Sequence, residues 1–155
     1  MHVYEGDLIA TADDSYAIVA ARFNDLVVKR LVEGALDTYR RHGVASERIS
    51  IAWVPGSFEL PVVADRMAKS GQFAAVVCLG AVIQGQTTHH EYINQQTAAG
   101  IMRTSQETGV PVLFGVLTCQ SMEQALDRAG GKAGNKGSEA ALAAIEMVNL
   151  LRKLP

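Results

Sequence analysis

Four short, continuous apolar runs, residues 16–21, 49–54, 74–79 and 112–117, are each followed by a longer segment with apolar residues at helical spacing. No other feature narrows the possible folds so far. Runs that are apolar without alternation are buried on both faces, as in a parallel sheet with helices on either side. The repeat predicts an α/β chain: a three-layer α/β/α sandwich with a four-stranded parallel sheet. Residues 2–10 read as an extended N-terminal arm outside the repeat. It is a short strand with Gly6 at its middle, suited to pairing with the sheet edge of a neighbouring subunit.

The chain has 155 residues, 48% hydrophobic and 19% charged, which suits a single domain spanning 1–155 with the arm at 1–12. A domain of this size buries roughly 68–70% of its unfolded surface, so it needs neither disulfides nor a structural metal. Cys78 and Cys119 lie in or beside apolar runs, without CxxC spacing or a His/Cys cluster. They read as reduced, buried thiols of a cytosolic protein. Fourteen Lys and Arg against sixteen Asp and Glu give a net charge of −2 with no basic stripe, which argues against nucleic acid as a partner. No stretch approaches the roughly 18 apolar residues of a membrane span, and Met1 to Asp7 show no basic and apolar leader. A cytoplasmic protein without membrane association is expected.

Helix punctuation is conventional. Asn24 can cap a first helix that ends before Gly43, Ser57 a second that ends at Gly71, and Thr87 or Thr88 a third closed by Gly109. Ser121 with Gln124 makes a capping-box pattern for a short fourth helix ending at Gly130, and an Ala/Leu-rich fifth runs from about Gly137 to Leu154.

Open parallel sheets bind ligands outside the carboxyl ends of their strands. Those ends carry Arg22, Phe23 and Asn24; Pro55 to Glu59; Gly80 to His90; and Thr118 to Gln120. The opposite edge offers mainly Ser46, Glu47, Arg48, Gly71 and Gln72. The segment from Gly85 through Gln86, Thr87 and Thr88 to His89 and His90 joins a strand to a helix N-terminus, where N–H groups and the helix dipole favour phosphate or carboxylate. A glycine turn with threonine caps has the same pattern, and it is neither a Walker loop nor a GxGxxG fingerprint. His89 or His90 can transfer protons beside that anion site, or both can simply occupy an exposed first turn.

Glu59 can hold an amide or amine edge of a ligand, or only complement the helix dipole; Phe23 and Phe58 can clamp a flat heterocycle, or pack on the core. Arg128, Lys132 and Lys136, among four glycines at 130–137, make a positive cluster suited to phosphate, or a solvated helix end. Asp13 and Asp14 read as a turn rather than the acid pair of a receiver domain.

Taken together, these residues resemble the 6,7-dimethyl-8-ribityllumazine synthase family over essentially the whole chain. The resemblance rests on Arg22-Phe23-Asn24; Val54 to Pro61; Gly80 to Ile83 leading to Thr87, Thr88 and His89; Phe114-Gly115; and Asp127 to Gly137. It implies a flavodoxin-like sandwich and a transferase of the penultimate step of riboflavin biosynthesis. That enzyme condenses 5-amino-6-(D-ribitylamino)uracil with 3,4-dihydroxy-2-butanone 4-phosphate, releasing phosphate and water, without metal or organic cofactor. By the same resemblance Phe23 stacks on the pyrimidine, Ser57, Phe58 and Glu59 hold the ribityl side and ring surroundings, and Ala81, Val82 and Ile83 line the pocket through their backbone. Gln86 and Thr87 bind the butanone phosphate with Arg128, His89 transfers protons, and Phe114 and Lys136 reach the heterocycle from an adjacent subunit.

Two positions depart from the family pattern: Gln84 stands where a basic residue is usual, and Ser57 often corresponds to alanine. The compact glycine loop at 131–137 resembles that of relatives that assemble twelve pentamers into a 60-subunit icosahedral capsid. The implied partners are thus copies of the chain, in a pentamer or such a shell, with riboflavin synthase as cargo the shell can hold. Two rival readings remain. A non-catalytic flavin-binding or shell-forming relative is opposed by the joint presence of His89, Arg128, Phe23 and Glu59, and a flavodoxin-like or receiver module has no local motif in its favour.

Overall fold

The structure, a computed structural model, describes residues 1–155. Four parallel strands, β1 (Tyr16–Ala21), β2 (Ile49–Val54), β3 (Ala75–Ile83) and β4 (Val112–Cys119), form a sheet in the order β2-β1-β3-β4. Helices α1 (Asp25–Arg41) and α5 (Lys136–Lys153) pack on one face, and α2 (Leu60–Lys69) and α3 (His89–Thr108) on the other, with the short α4 (Met122–Asp127) after β4. This is the three-layer, flavodoxin-like sandwich.

The sheet order explains why the central run is apolar throughout. Tyr16, Ile18 and Ala20 join a core with Val28, Leu31 and Ile145, while Ala17, Val19 and Ala21 join a second core with Leu60, Ala64 and Ile101. Every residue of β1 is buried, and each fully buried aliphatic side chain contributes roughly 1.5–3 kcal/mol of transfer energy. The edge strand β2 departs from the expectation of burial on both faces. Its Ser50, Ile51 and Trp53 are exposed, because β2 pairs only with β1 and the helices leave this margin uncovered. Strands β3 and β4 extend past the apolar runs at 74–79 and 112–117. They pair with each other as far as Ile83 and Cys119, past the end of β1.

The arm is not a strand in this chain. It lies along α5, whose Asn149 Nδ2 donates to the carbonyls of Asp7 (2.7 Å) and Ile9 (3.0 Å), while Lys153 Nζ donates to that of Glu5 (2.9 Å). Gly6 comes so near the Glu146 carbonyl that a Cβ would stand 2.1 Å from its oxygen. No N–H of residues 2–9 donates within the chain; the first to do so is that of Ala10, to the His42 carbonyl at 3.1 Å.

The helix ends differ in detail from the sequence expectation. Asn24 adopts the left-handed conformation (φ 60°) and does not cap α1 with its side chain. Ser57 lies in a single 3₁₀ turn, Ser57–Glu59, that precedes α2. Ser121 Oγ accepts from Gln124 N–H at 3.2 Å, but Gln124 Oε1 takes the N–H of Gln120 rather than completing the box. The glycine loop forms a small antiparallel hairpin, β5 (Ala129–Gly131) and β6 (Gly134–Asn135). Asn135 Oδ1 then caps α5 through the N–H groups of Gly137 (2.9 Å) and Ser138 (3.1 Å), and its Nδ2 donates to the Arg30 carbonyl of α1 at 3.0 Å.

Asp14 is more than a turn residue: it is buried and ion-paired with Arg152 of α5, whose Nη1 lies 2.9 Å from Oδ2. Burial pushes this carboxyl up, but hydrogen bonds from Arg152 and Thr11 and the guanidinium charge outweigh it, leaving the group below its ordinary value. A depressed folded-state pKa contributes stability above the unfolded carboxylate value, and that contribution is lost as pH falls through the folded value. Arg152→Ala is expected to cost about 1–2 kcal/mol at neutral pH, since Arg152 is half-exposed, and the deficit should fade below about pH 4. Urea midpoints across that range, at one protein concentration, check this; a deficit independent of pH would contradict it.

Candidate active site

At the carboxyl edge of the sheet, the ends of β1 and β3, the Pro55–Glu59 loop after β2 and the first turn of α3 enclose a cavity of about 730 Å³, a size suited to small molecules. Phe23, Ser57, Phe58, Glu59, Ala81, Val82, Ile83, Thr87 and His89 all lie on its wall. Gln86 is exposed between the wall residues Gly85 and Thr87, and its side chain is not part of the wall. Phe114, Arg128 and Lys136 lie outside the cavity, on β4 and the elements after it.

The local structure resolves several alternatives that the sequence leaves open. Phe23 and Phe58 are 72% and 55% exposed, so neither ring is core packing; both present apolar surface to the cavity. The Pro55–Glu59 loop is clamped from two sides. Thr97 Oγ1 of α3 donates to the Ser57 carbonyl at 3.1 Å, and Ser57 sits so close over Gly80 that a Cβ there would stand 2.4 Å from its Oγ. Glu59 Oε2 accepts the N–H of Gly56 at 2.9 Å, which fixes the carboxylate and leaves Oε1 without a partner.

His90 is tied to its own turn, with Nδ1 3.1 Å from the Thr87 carbonyl, whereas the His89 ring has no partner within the chain. The N–H groups of Gly85, Gln86, Thr87 and Thr88 donate to nothing within the chain. Four successive donors thus precede the 20-residue α3, where the helix dipole adds positive potential. In the late loop, Lys132 is paired with Asp127 at 3.3 Å and Lys136 with Glu139, while Arg128 has no carboxylate and gives one Nη1 hydrogen bond, of 3.0 Å, to the Gln124 carbonyl. Of the three cations, Arg128 is the one left for an external anion.

Both cysteines are free and buried. Burial pushes the Cys78 thiol up to about 12, and raises Cys119 against the opposing charge of Arg128. Neither is a poised nucleophile.

Asn24 and Gly85, which the sequence places at the strand ends, lie on the wall as well, together with two residues the sequence did not single out, Tyr92 and Ile93. The spacing held a signal for the last two, because Tyr92 and Ile93 follow His89 by three and four positions and so share its helix face. No helix is long and apolar enough to cross a membrane.

Comparison with known proteins shows the family. The model of the 6,7-dimethyl-8-ribityllumazine synthase family matches residues 14–152. A curated protein of Halorhodospira halophila (strain DSM 244 / SL1), named 6,7-dimethyl-8-ribityllumazine synthase, is 54% identical over 154 residues, covering 99% of each chain. With its sandwich fold and strand-end cavity, the chain belongs to the 6,7-dimethyl-8-ribityllumazine synthase family.

Proposed function

We infer that this chain is the transferase that condenses 5-amino-6-(D-ribitylamino)uracil with 3,4-dihydroxy-2-butanone 4-phosphate to 6,7-dimethyl-8-ribityllumazine, releasing phosphate and water. One observation carries the reading: two exposed phenyl rings, two residues with unused N–H groups, Gly85 and Thr87, and a partnerless imidazole share the wall of one cavity. The rings suit a flat pyrimidine, the donors suit a phosphate, and the imidazole directly follows the donors in the chain.

In this reading Phe23 stacks on the pyrimidine, and Ser57, Phe58 and Glu59 hold its ribityl side and ring edge. Ala81, Val82 and Ile83 contribute backbone groups, and Gln86 and Thr87 bind the phosphate with Arg128. The 5-amino group attacks the ketone, and the carbinolamine loses water to give an imine. Phosphate is then eliminated to leave an enol that tautomerises to a ketone, and the ribityl-bearing amine closes the second ring on that carbonyl with loss of a second water. Every step moves a proton, which His89 accepts or donates. Holding both substrates in one cavity removes much of the entropic barrier to their encounter.

Phe114, Lys136 and Arg128 complete the cavity from an adjacent copy, which accounts for their position outside it. Such head-to-tail contacts close a ring, here a cytoplasmic homopentamer, with the 60-subunit shell as its larger form. The arm, residues 1–12 of the single domain 1–155, is the segment offered to the neighbour.

The test is lumazine formation, followed by absorbance, from the two purified substrates with wild type and His89→Ala compared. Product should require both substrates, and His89→Ala should be slower by about 10²-fold without being inactive, since water can carry protons in an exposed first turn. No product above the spontaneous condensation would instead indicate a flavin-binding or shell protein.

A further inference from the structure

We propose that Asn24 is a positioning residue, which sets the pyrimidine end of the cavity by a side-chain hydrogen bond that replaces a missing strand partner. The proposal rests on the assignment of that end to the ribitylaminouracil. Strand β1 accompanies β3 only as far as the pair Ala20–Leu79. Beyond it, β3 continues through Ala81 to Ile83 beside β4 alone, and these are the residues that enter the cavity wall. The carbonyl of Ala81 then has no β1 backbone beside it. Asn24 Nδ2 takes that place, donating to Ala81 O at 2.8 Å across 57 positions of sequence.

The backbone at Asn24 makes this reach possible. The chain leaves β1 with Arg22 N–H on Val54 O (2.8 Å) and Phe23 N–H on Pro55 O (3.1 Å), which fixes Phe23 beside the loop after β2. Asn24 then turns to φ 60°, the only non-glycine residue of the chain at positive φ, and its carbonyl accepts from Val27 and Val28 to start α1. Asparagine tolerates this conformation better than most residues, and its carboxamide also supplies the donor. Both Asn24 and Ala81 lie on the cavity wall, so the bond locks the Phe23 turn to the end of β3. The phosphate-binding segment at Gly85–Thr88 belongs to the next connection and is not held by it.

Glycine and alanine at this position separate the two roles. Asn24→Gly keeps the left-handed turn and loses only the side-chain donor; Asn24→Ala loses both. For Asn24→Gly, the KM of the ribitylaminouracil and its Kd by calorimetry without the second substrate should both rise about 5- to 10-fold. The KM of the butanone phosphate should change less than about twofold. Asn24→Ala should show the same split together with a lower melting temperature. A wild-type KM and Kd for Asn24→Gly would reduce Asn24 to a turn residue and overturn the proposal, as would equal rises for both substrates. If wild type bound the pyrimidine but formed no lumazine, the functional reading would fail, while the Kd ratio would still decide the role of Asn24; wild type that bound no pyrimidine would overturn both.

Discussion

Arg128→Ala is expected to lower kcat/KM for the butanone phosphate by about 10³-fold, chiefly through KM, and to leave the KM of the ribitylaminouracil within about threefold. Arg128 is the member of the late-loop cluster without a carboxylate partner, so its full charge is available to an anion. A guanidinium can give a phosphate two parallel hydrogen bonds, and each bond to a charged group is worth about 1.5–3 kcal/mol. Their sum spans roughly 10²- to 10⁴-fold. Arg128→Lys should fall between, because an ammonium keeps the charge and loses the fork. Steady-state kinetics with each substrate varied in turn decide the matter, and a normal phosphate-substrate KM would remove Arg128 from the site. The subunit of origin can be tested with the same protein. If Arg128 acts across an interface, oligomers reassembled from His89→Ala and Arg128→Ala chains should turn over faster than either parent alone at the same substrate concentrations.

Gly137→Ala should be the most damaging single methyl group in the fold, at about 3 kcal/mol or more, or roughly 6–12 °C in melting temperature. Gly137 lies at the start of α5 where it crosses α1, and a Cβ there would stand 1.9 Å from the Leu31 carbonyl oxygen and 2.6 Å from its carbon. These are backbone atoms inside a helix, so no rotamer change relieves the contact. Either α5 starts further out, weakening the Asn135 cap, or α1 shifts against the sheet. Lys136 is the adjacent residue, so the surviving fold should also lose binding contributed from the late loop. Gly71→Ala is the control, since it has positive φ (72°) but open space around it and should cost only about 1 kcal/mol. Thermal denaturation of the two variants checks this, and equal losses would assign the effect to glycine flexibility rather than to the helix crossing.

How much of this could be read in advance differs by element. β1 and β2 matched their apolar runs because pairing and hydrophobicity stop at the same residues. β3 and β4 did not, since Gly80 and Thr118 continue a ladder set by the opposite strand rather than by their own side chains. The exposed face of β2 was hidden because Ile51 and Trp53 look like core residues whichever side of the sheet they occupy. Asn24 was misread for a related reason: capping and left-handed turning favour the same residue, and only the position of Ala81 tells them apart. Within the site, the glycine, hydroxyl and imidazole groups at the strand ends were legible from topology. The residues alone left His89 against His90 and Arg128 against its lysine neighbours open; the family resemblance named His89 and Arg128, and the structure adds one hydrogen bond that ties His90 and two salt bridges that engage the lysines. Neither is encoded in spacing. Phe114 was legible only through family resemblance; Arg128 and Lys136 stood out as members of a positive cluster, but none of the three is gathered with the rest within one chain.

The arm gives α5 its carbonyl oxygens and keeps every N–H of residues 2–9 uncommitted. In water such donors are satisfied at no net cost, but in a dry interface each one left without an acceptor costs about 1–3 kcal/mol. The arm therefore carries a built-in selection rule. A smooth apolar surface is penalised as a companion, and a row of oxygens, such as an open strand margin, is rewarded. The hydrogen bonds that hold the arm to its own helix already determine the polarity of whatever covers its other side.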